Sequence, residues 1–239
     1  DLIGQRGQKL EVELVATFLP RVVIDSLLSV ISRVNLEVEH LTLEPIAASQ
    51  VVIPESMSSF NLALVDIGAG TSDIAITKDG SIIGYDMVPI AGDEITEQIS
   101  ENFLIDYKTA EKVKCSLNEE EVMNVSTILG DSVEIDRQSV METVKPQLDT
   151  LTESIAESIL KINSNPPQAV IFIGGGSLTR GLKEKFADKI NLIPNRIGIR
   201  KKDDLDNVLG DIENINSTQT LTPIGIAVTT NETKNKAVF

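Results

Sequence analysis

The 239-residue chain has no tryptophan, one cysteine, one histidine and few aromatics of any kind. Cys115 has no second cysteine to pair with, so an internal disulfide is excluded and a reducing, cytoplasmic setting is expected. One histidine and one cysteine do not make a zinc site. The scarcity of aromatics excludes the base-stacking platform that single-stranded nucleic acid needs. Lys and Arg number 21 against 36 Asp and Glu, and the resulting net charge of −15 argues against nucleic acid as a partner. No apolar run approaches the ~20 residues that span a bilayer. No stretch has the charged start and apolar core of a secretory signal. What is present is an acidic chain with 41% hydrophobic residues, long enough to bury a substantial core in one or two domains.

The most informative run is V-D-I-G-A-G-T-S-D at positions 65–73. The apolar stretch 61–67 suits a strand buried on both faces. Asp66 lies near its end, where a buried carboxylate needs a cation or donors. Gly68 and Gly70 allow a tight turn whose amide N–H groups form a concavity for anions. Thr71 and Ser72 add hydroxyls, and Asp73 adds a second carboxylate. This order can hold a nucleoside triphosphate and its magnesium. Alternation at 73–77 predicts a second strand, Asp79-Gly80 a type I′ hairpin, and 81–88 a third strand.

A second glycine corner follows the apolar stretch 169–173. Gly174, Gly175 and Gly176 lead to Ser177 as a helix cap, then to Leu178, Leu182 and Phe186 at helical spacing. The run lacks both the third glycine of a dinucleotide fingerprint and the G-K-[ST] of a P-loop. Both corners have bland readings, as a surface meander and as a tight strand–helix joint.

Together these runs resemble the actin/DnaK/FtsA superfamily of nucleotide-binding proteins. Positions 66–73 look like its phosphate-2 motif and 171–181 like its adenosine motif. E-P-I-A-A at 44–48 and T-P-I-G-I-A at 222–227 look like its two connecting motifs. Within the superfamily, L-E-V-E-H-L-T-L-E-P-I-A-A-S, D-I-G-A-G-T-S-D-I-A-I and A-E-K-V-K at 110–114 resemble the FtsA family of bacterial cell division. The pilus-assembly relative PilM stands as an alternative. An actin-fold kinase or reactivating chaperone is a further one, although no substrate-pocket motif stands out.

The resemblance implies an α/β fold of the actin-like ATPase (ribonuclease H-like) type. It implies a partial first lobe and a complete second lobe with an inserted α+β subdomain. Residues 1–53 would be part of subdomain IA, 54–92 and 164–200 subdomain IIA, and 93–163 subdomain IIB. Residues 201–220 would form a loop and 221–239 a closing helix and tail. ATP and Mg²⁺ are the implied cofactors. Asp66 would hold the metal, Gly68, Gly70, Thr71 and Ser72 the phosphates, and Glu111 and Lys114 the ribose and base. Gly174, Gly175 and Gly176 would back the adenosine, and Glu44 would orient attacking water.

The family's first phosphate motif is absent from these residues. The expectation is therefore a piece of a longer protein that binds ATP weakly or not at all and hydrolyses essentially none. Partners implied are an FtsZ-like tail peptide at 93–163 or a pilus-assembly peptide, with self-association into filaments. The closing K-A-V-F gives no support for a membrane helix.

The remaining pattern predicts a strand at 10–18, a helix at 20–34 with Ile24, Leu27, Leu28, Ile31 and Val34 on one face, and a strand at 38–43. His40 on that strand reads as structural. Helices are expected at 45–52, 92–105 and from Thr109, with two short strands within 121–135. Ser139 and Glu142 have capping-box spacing, and Pro146 should kink or restart the helix that carries Leu148, Leu151, Ile155, Ile159 and Ile162. A final strand is expected within 191–199.

Overall fold

The structure is a computed structural model and describes residues 6–9, 11, 16, 18–200 and 218–236, with side chains in the last helix followed to Thr229. Most of the strand expected at 10–18 and most of the loop expected at 201–220 lie outside the described residues. Contacts divide the chain into two units, 1–41 and 42–239. The lobe boundary expected near Pro54 falls inside the second.

The first unit contains α1 (Arg21–Arg33), which starts after Pro20 as expected and buries none of its side chains. No strand forms at 38–43, and His40 is exposed. Apolar alternation alone does not make a strand without a ladder to join, and none pairs there among the described residues.

The second unit is built on a five-stranded sheet ordered β3-β2-β1-β6-β7. Its strands are β1 (Leu62–Ile67), β2 (Ser72–Lys78), β3 (Ser81–Val88), β6 (Ala169–Ile173) and β7 (Ile197–Ile199). The meander β1-β2-β3 is antiparallel, whereas β6 and β7 run parallel to β1. Asp79 and Gly80 both have positive φ, as the hairpin signal requires. The strand expected within 191–199 is confined to β7 and follows a short 3-10 turn at Pro194–Arg196.

Helices cover both sheet faces. On one side lie α3 (Asp93–Phe103), α4 (Tyr107–Ser116), α5 (Arg137–Asn163) and α6 (Leu182–Ile190). There Ala63, Val65, Ile67, Phe172 and Ile74 share a core with Ile95, Val144, Leu148, Leu151, Ile155 and Phe186. On the other side lie α2 (Glu44–Val52) and α7 (Leu221–Lys236), packed over Leu62, Leu64, Ile171 and Ile173. The two-residue period of β1 thus sends Asp66 to the α2–α7 side. A small two-stranded sheet, β4 (Val122–Ser126) and β5 (Ser132–Asp136), completes the unit.

Three local expectations change. Asp136 caps α5 and accepts from the backbone N–H and the hydroxyl of Ser139. Ser139 is therefore a donor inside the first turn rather than the cap. Pro146 does not restart the helix: it sits within a single 27-residue one, whose buried stripe from Val140 to Ile159 carries it past the missing N–H. Ser177 lies in a 3-10 turn and donates to the Gly174 carbonyl, while α6 begins only after Gly181.

The Asp136 cap gives a pH-dependent prediction. Hydrogen bonds from Ser139 hold its carboxyl below the usual range. A lowered folded value means stability present above the unfolded pKa and lost as pH falls through the folded one. Asp136→Ala should lower Tm by a few degrees at neutral pH, with the difference fading in acid, as read by thermal circular dichroism. A difference independent of pH would remove the cap's charge from the account.

Candidate functional site

The two glycine corners lie side by side at the carboxyl ends of parallel strands β1 and β6, where open α/β sheets bind ligands. The first is closed by the Gly68 N–H donating to the Thr71 carbonyl (3.0 Å). Its carbonyls are tied to the start of α3: Gly92 N–H donates to Gly68 O (3.2 Å) and Asp93 N–H to Ala69 O (2.8 Å). The second corner packs directly on the first. Gly174 has φ +82°, and a Cβ there would lie 2.3 Å from Asp66 Oδ1 and 2.4 Å from the Ile67 carbonyl oxygen. A Cβ on Gly176 would lie 3.0 Å from Gly68 O. Gly174 is thus required by both backbone and contact, and its N–H donates to the Thr218 carbonyl (3.4 Å).

Between the corners and α4 lies a cavity of about 490 Å³, within the range of small-molecule sites. Gly68, Ala69, Gly175 and Gly176 line it from the corners, and Gly92, Asp93, Glu111, Lys114 and Cys115 from the helices. Glu111 and Lys114 form an ion pair (2.7 Å) and are not a solvated surface pair, since the lysine side chain is only 11% exposed. Lys114 Nζ also donates to Gly92 O (3.0 Å) and Thr96 Oγ1 (2.8 Å). Burial works against the Glu111 charge, but hydrogen bonds from Lys114 and Thr96 hold its carboxyl below the usual range. Cys115 faces the opposite balance. Burial and the Glu111 carboxylate push its thiol up, which leaves it a poor nucleophile.

A cluster of carboxylates stands at the other side of the β1 end. Asp66 accepts a hydrogen bond from the Thr222 hydroxyl of α7 (2.6 Å), and burial raises its pKa despite that bond. Burial also raises Glu44 at the start of α2, and Asp66 and Asp73 raise it further. Burial and Asp66 raise Asp73, whose Oδ2 accepts from the Thr71 hydroxyl (3.4 Å). The Asp66 charge thus adds to the shift of both its neighbours, an arrangement that a cation would relieve. The described residues hold no group of three or more His, Cys, Asp or Glu placed to chelate a metal. The half-buried Asp66 carboxylate is itself compatible with Mg²⁺, which keeps several waters and takes one or two carboxylates beside substrate phosphates.

The structure therefore brings together Asp66, Gly68, Gly174, Gly175, Gly176, Glu111 and Lys114, with Glu44 facing Asp66. Gly70 and Thr71 lie exposed beside the cavity, not in its lining. Ser72 corrects the expectation that it cradles phosphate. It shares the β2 face of Ile74 and Ile76, is fully buried, and donates to the Ile90 carbonyl (2.7 Å). Sequence reasoning missed Gly92, Asp93, Asn118 and Gln219 in the lining and the Thr222 bond. Only Thr222 carried a signal, at the head of T-P-I-G-I-A. Tyr107 was also missed: its hydroxyl donates to Asp93, which together with burial pushes its pKa up to about 12.

Sheet order and paired corners define an actin-like ATPase fold, and solved structures of that class overlay on most of the chain. MreB5 of Spiroplasma citri bound to ADP gives a TM-score of 0.70 at 18% identity, covering 91% of this chain and 68% of that one. The PilM-PilN type IV pilus biogenesis complex gives 0.62 at 17%, covering 87% and 57%. The family model of cell division protein FtsA matches residues 63–225. The chain belongs to the FtsA family. Cell division protein FtsA of Pseudomonas aeruginosa is 32% identical over 181 residues, 71% of this chain and 43% of that protein. FtsA of Bacillus subtilis is 24% identical over 210 residues, 81% and 48%. The chain spans about half the length of the curated relatives it matches.

Proposed function

We propose that the protein binds ATP with Mg²⁺ in this cavity, weakly in these residues alone because the family's first phosphate motif is not among them, and acts in bacterial cell division as an FtsA-type scaffold, through nucleotide-linked protein contacts in the cytoplasm. The observation that carries the reading is the convergence of both glycine corners and the Glu111–Lys114 pair on one cavity. Gly68, Gly175 and Gly176 line the cavity without a side chain of their own, where a phosphate or flat ring needs close approach. Glu111 and Lys114 offer an acceptor and a donor to ribose and base. Asp66 would hold Mg²⁺ through water, and the metal would supply charge neutralisation for the phosphates. Glu44 would hold a water over the terminal phosphate.

Residues 93–163 are proposed as subdomain IIB, the surface for an FtsZ-like tail peptide, with self-association into filaments through other faces. The pilus-assembly alternative is supported by likeness of fold alone, whereas the sequence match is to FtsA. No helix among the described residues is long and apolar enough to cross a membrane.

Gly175→Val tests the cavity. The atoms nearest a Cβ on Gly175 belong to the Gln219 side chain, first Nε2 (2.8 Å), which can swing aside, so the fold should be retained. Calorimetry with ATP and Mg²⁺ should show binding at least ~10-fold weaker than wild type, about 1.4 kcal/mol. Unchanged affinity in a folded variant would remove the second corner from the nucleotide site.

A further inference from the structure

A second groove, of about 520 Å³, lies beyond the far wall of the nucleotide cavity. The two share Asn118, Leu178 and Thr179, and the Asn118 side-chain amide donates to the Leu178 carbonyl (3.1 Å) between them. The groove is lined by Arg180 and Lys183. Both are half-buried, and neither has a hydrogen bond or ion pair. Among the described residues, every other partly buried Lys or Arg has one: Lys114, Arg137, Lys185 and Arg200. The Thr179 hydroxyl, also half-buried and unpaired, faces the same groove. Two unneutralised cations in a recess are unusual on a chain of net charge −15, whose surface offers acids in excess.

We infer that this groove is a binding site for a phosphate-type oxyanion carried on a small molecule. The planar guanidinium of Arg180 matches two oxygens of a phosphate at once, and Lys183 adds a mobile point charge three residues on. The volume exceeds that of bare phosphate, so a phosphomonoester or pyrophosphate-bearing compound is the fitting class. Glu184 stands exposed at the rim, and its charge opposes the anion. The inference stands apart from the nucleotide reading: a chain that failed to bind ATP would still carry the groove.

The test is calorimetry with inorganic pyrophosphate on the full chain, without nucleotide. Wild type should bind, and Arg180→Gln with Lys183→Gln should weaken binding by tenfold or more while melting as wild type does, since neither side chain has a partner to lose. Glu184→Gln should tighten binding. Gly175→Val, which obstructs the nucleotide cavity, should leave it unchanged. The site is overturned if wild type does not bind pyrophosphate or if the double variant binds as wild type does. Loss of binding in Gly175→Val alone would overturn it too, because the probe would then be sitting on the glycine corners.

Discussion

Replacing Gly225 with alanine is expected to lower Tm by roughly 4–8 °C. A Cβ at this position of α7 would lie 2.1 Å from the carbonyl oxygen of Ala47 and 2.5 Å from its carbonyl carbon. Both are backbone atoms of α2, so no side chain can turn away to make room. Alanine favours a helix interior by about 1 kcal/mol over glycine. The overlap must separate two helices that together roof one face of the sheet over Leu62, Leu64, Ile171 and Ile173. Overpacking of this kind costs about 3 kcal/mol, so the net loss is about 2 kcal/mol. Thermal denaturation followed by circular dichroism reads the result directly. A Tm within a degree or two of wild type would mean that α2 and α7 do not cross this closely.

Asp66→Asn should weaken Mg²⁺-dependent ATP binding by roughly 10- to 100-fold, the range seen when groups that orient a metal's shell are removed. The same change should raise the Tm of the ligand-free protein by a few degrees at neutral pH. Burial raises the pKa values of Asp66, Glu44 and Asp73, and the Asp66 charge raises the last two further. A raised folded value means stability that is full below the unfolded pKa and lost as pH rises through the folded one. Towards neutral pH the cost of the charge is therefore felt, and the asparagine is relieved of it. The gain should shrink towards zero as pH falls below the ordinary carboxylate range. Parallel melts from acid to neutral pH, with and without Mg²⁺·ATP, separate the two effects. A variant less stable than wild type at every pH would show that the Thr222 hydrogen bond outweighs the charge.

Much of the sheet was legible because its strands alternate or run apolar between clear turn signals. The stretches 61–67, 81–88 and 169–173 correspond closely to β1, β3 and β6, and Asp79-Gly80 forms the expected hairpin. What misled was local pattern without knowledge of its partner. Residues 38–43 alternate like a strand but pair with nothing among the described residues. Ser177 and Ser139 have the chemistry of caps, yet a 3-10 turn claims one and Asp136 displaces the other. The site divides in the same way. Each glycine corner and the Glu111–Lys114 spacing can be read along the chain. That Gly174 abuts Asp66, that Thr222 reaches it from 156 residues away, and that Ser72 turns inward follow from strand register and layer, which no short window of sequence contains.

Thr222 and Gly225 are three residues apart on α7 and so look the same way along the helix. One is bonded to Asp66 and the other is wedged on Ala47. The helix is thereby held at two neighbouring points, by a carboxylate and by the backbone of α2. Whatever changes the charge or coordination of that one carboxylate loosens the first rivet and leaves the second in place. Hydrogen exchange in the first turn of α7 should therefore rise in Asp66→Asn before it rises at Ile226 and Ala227.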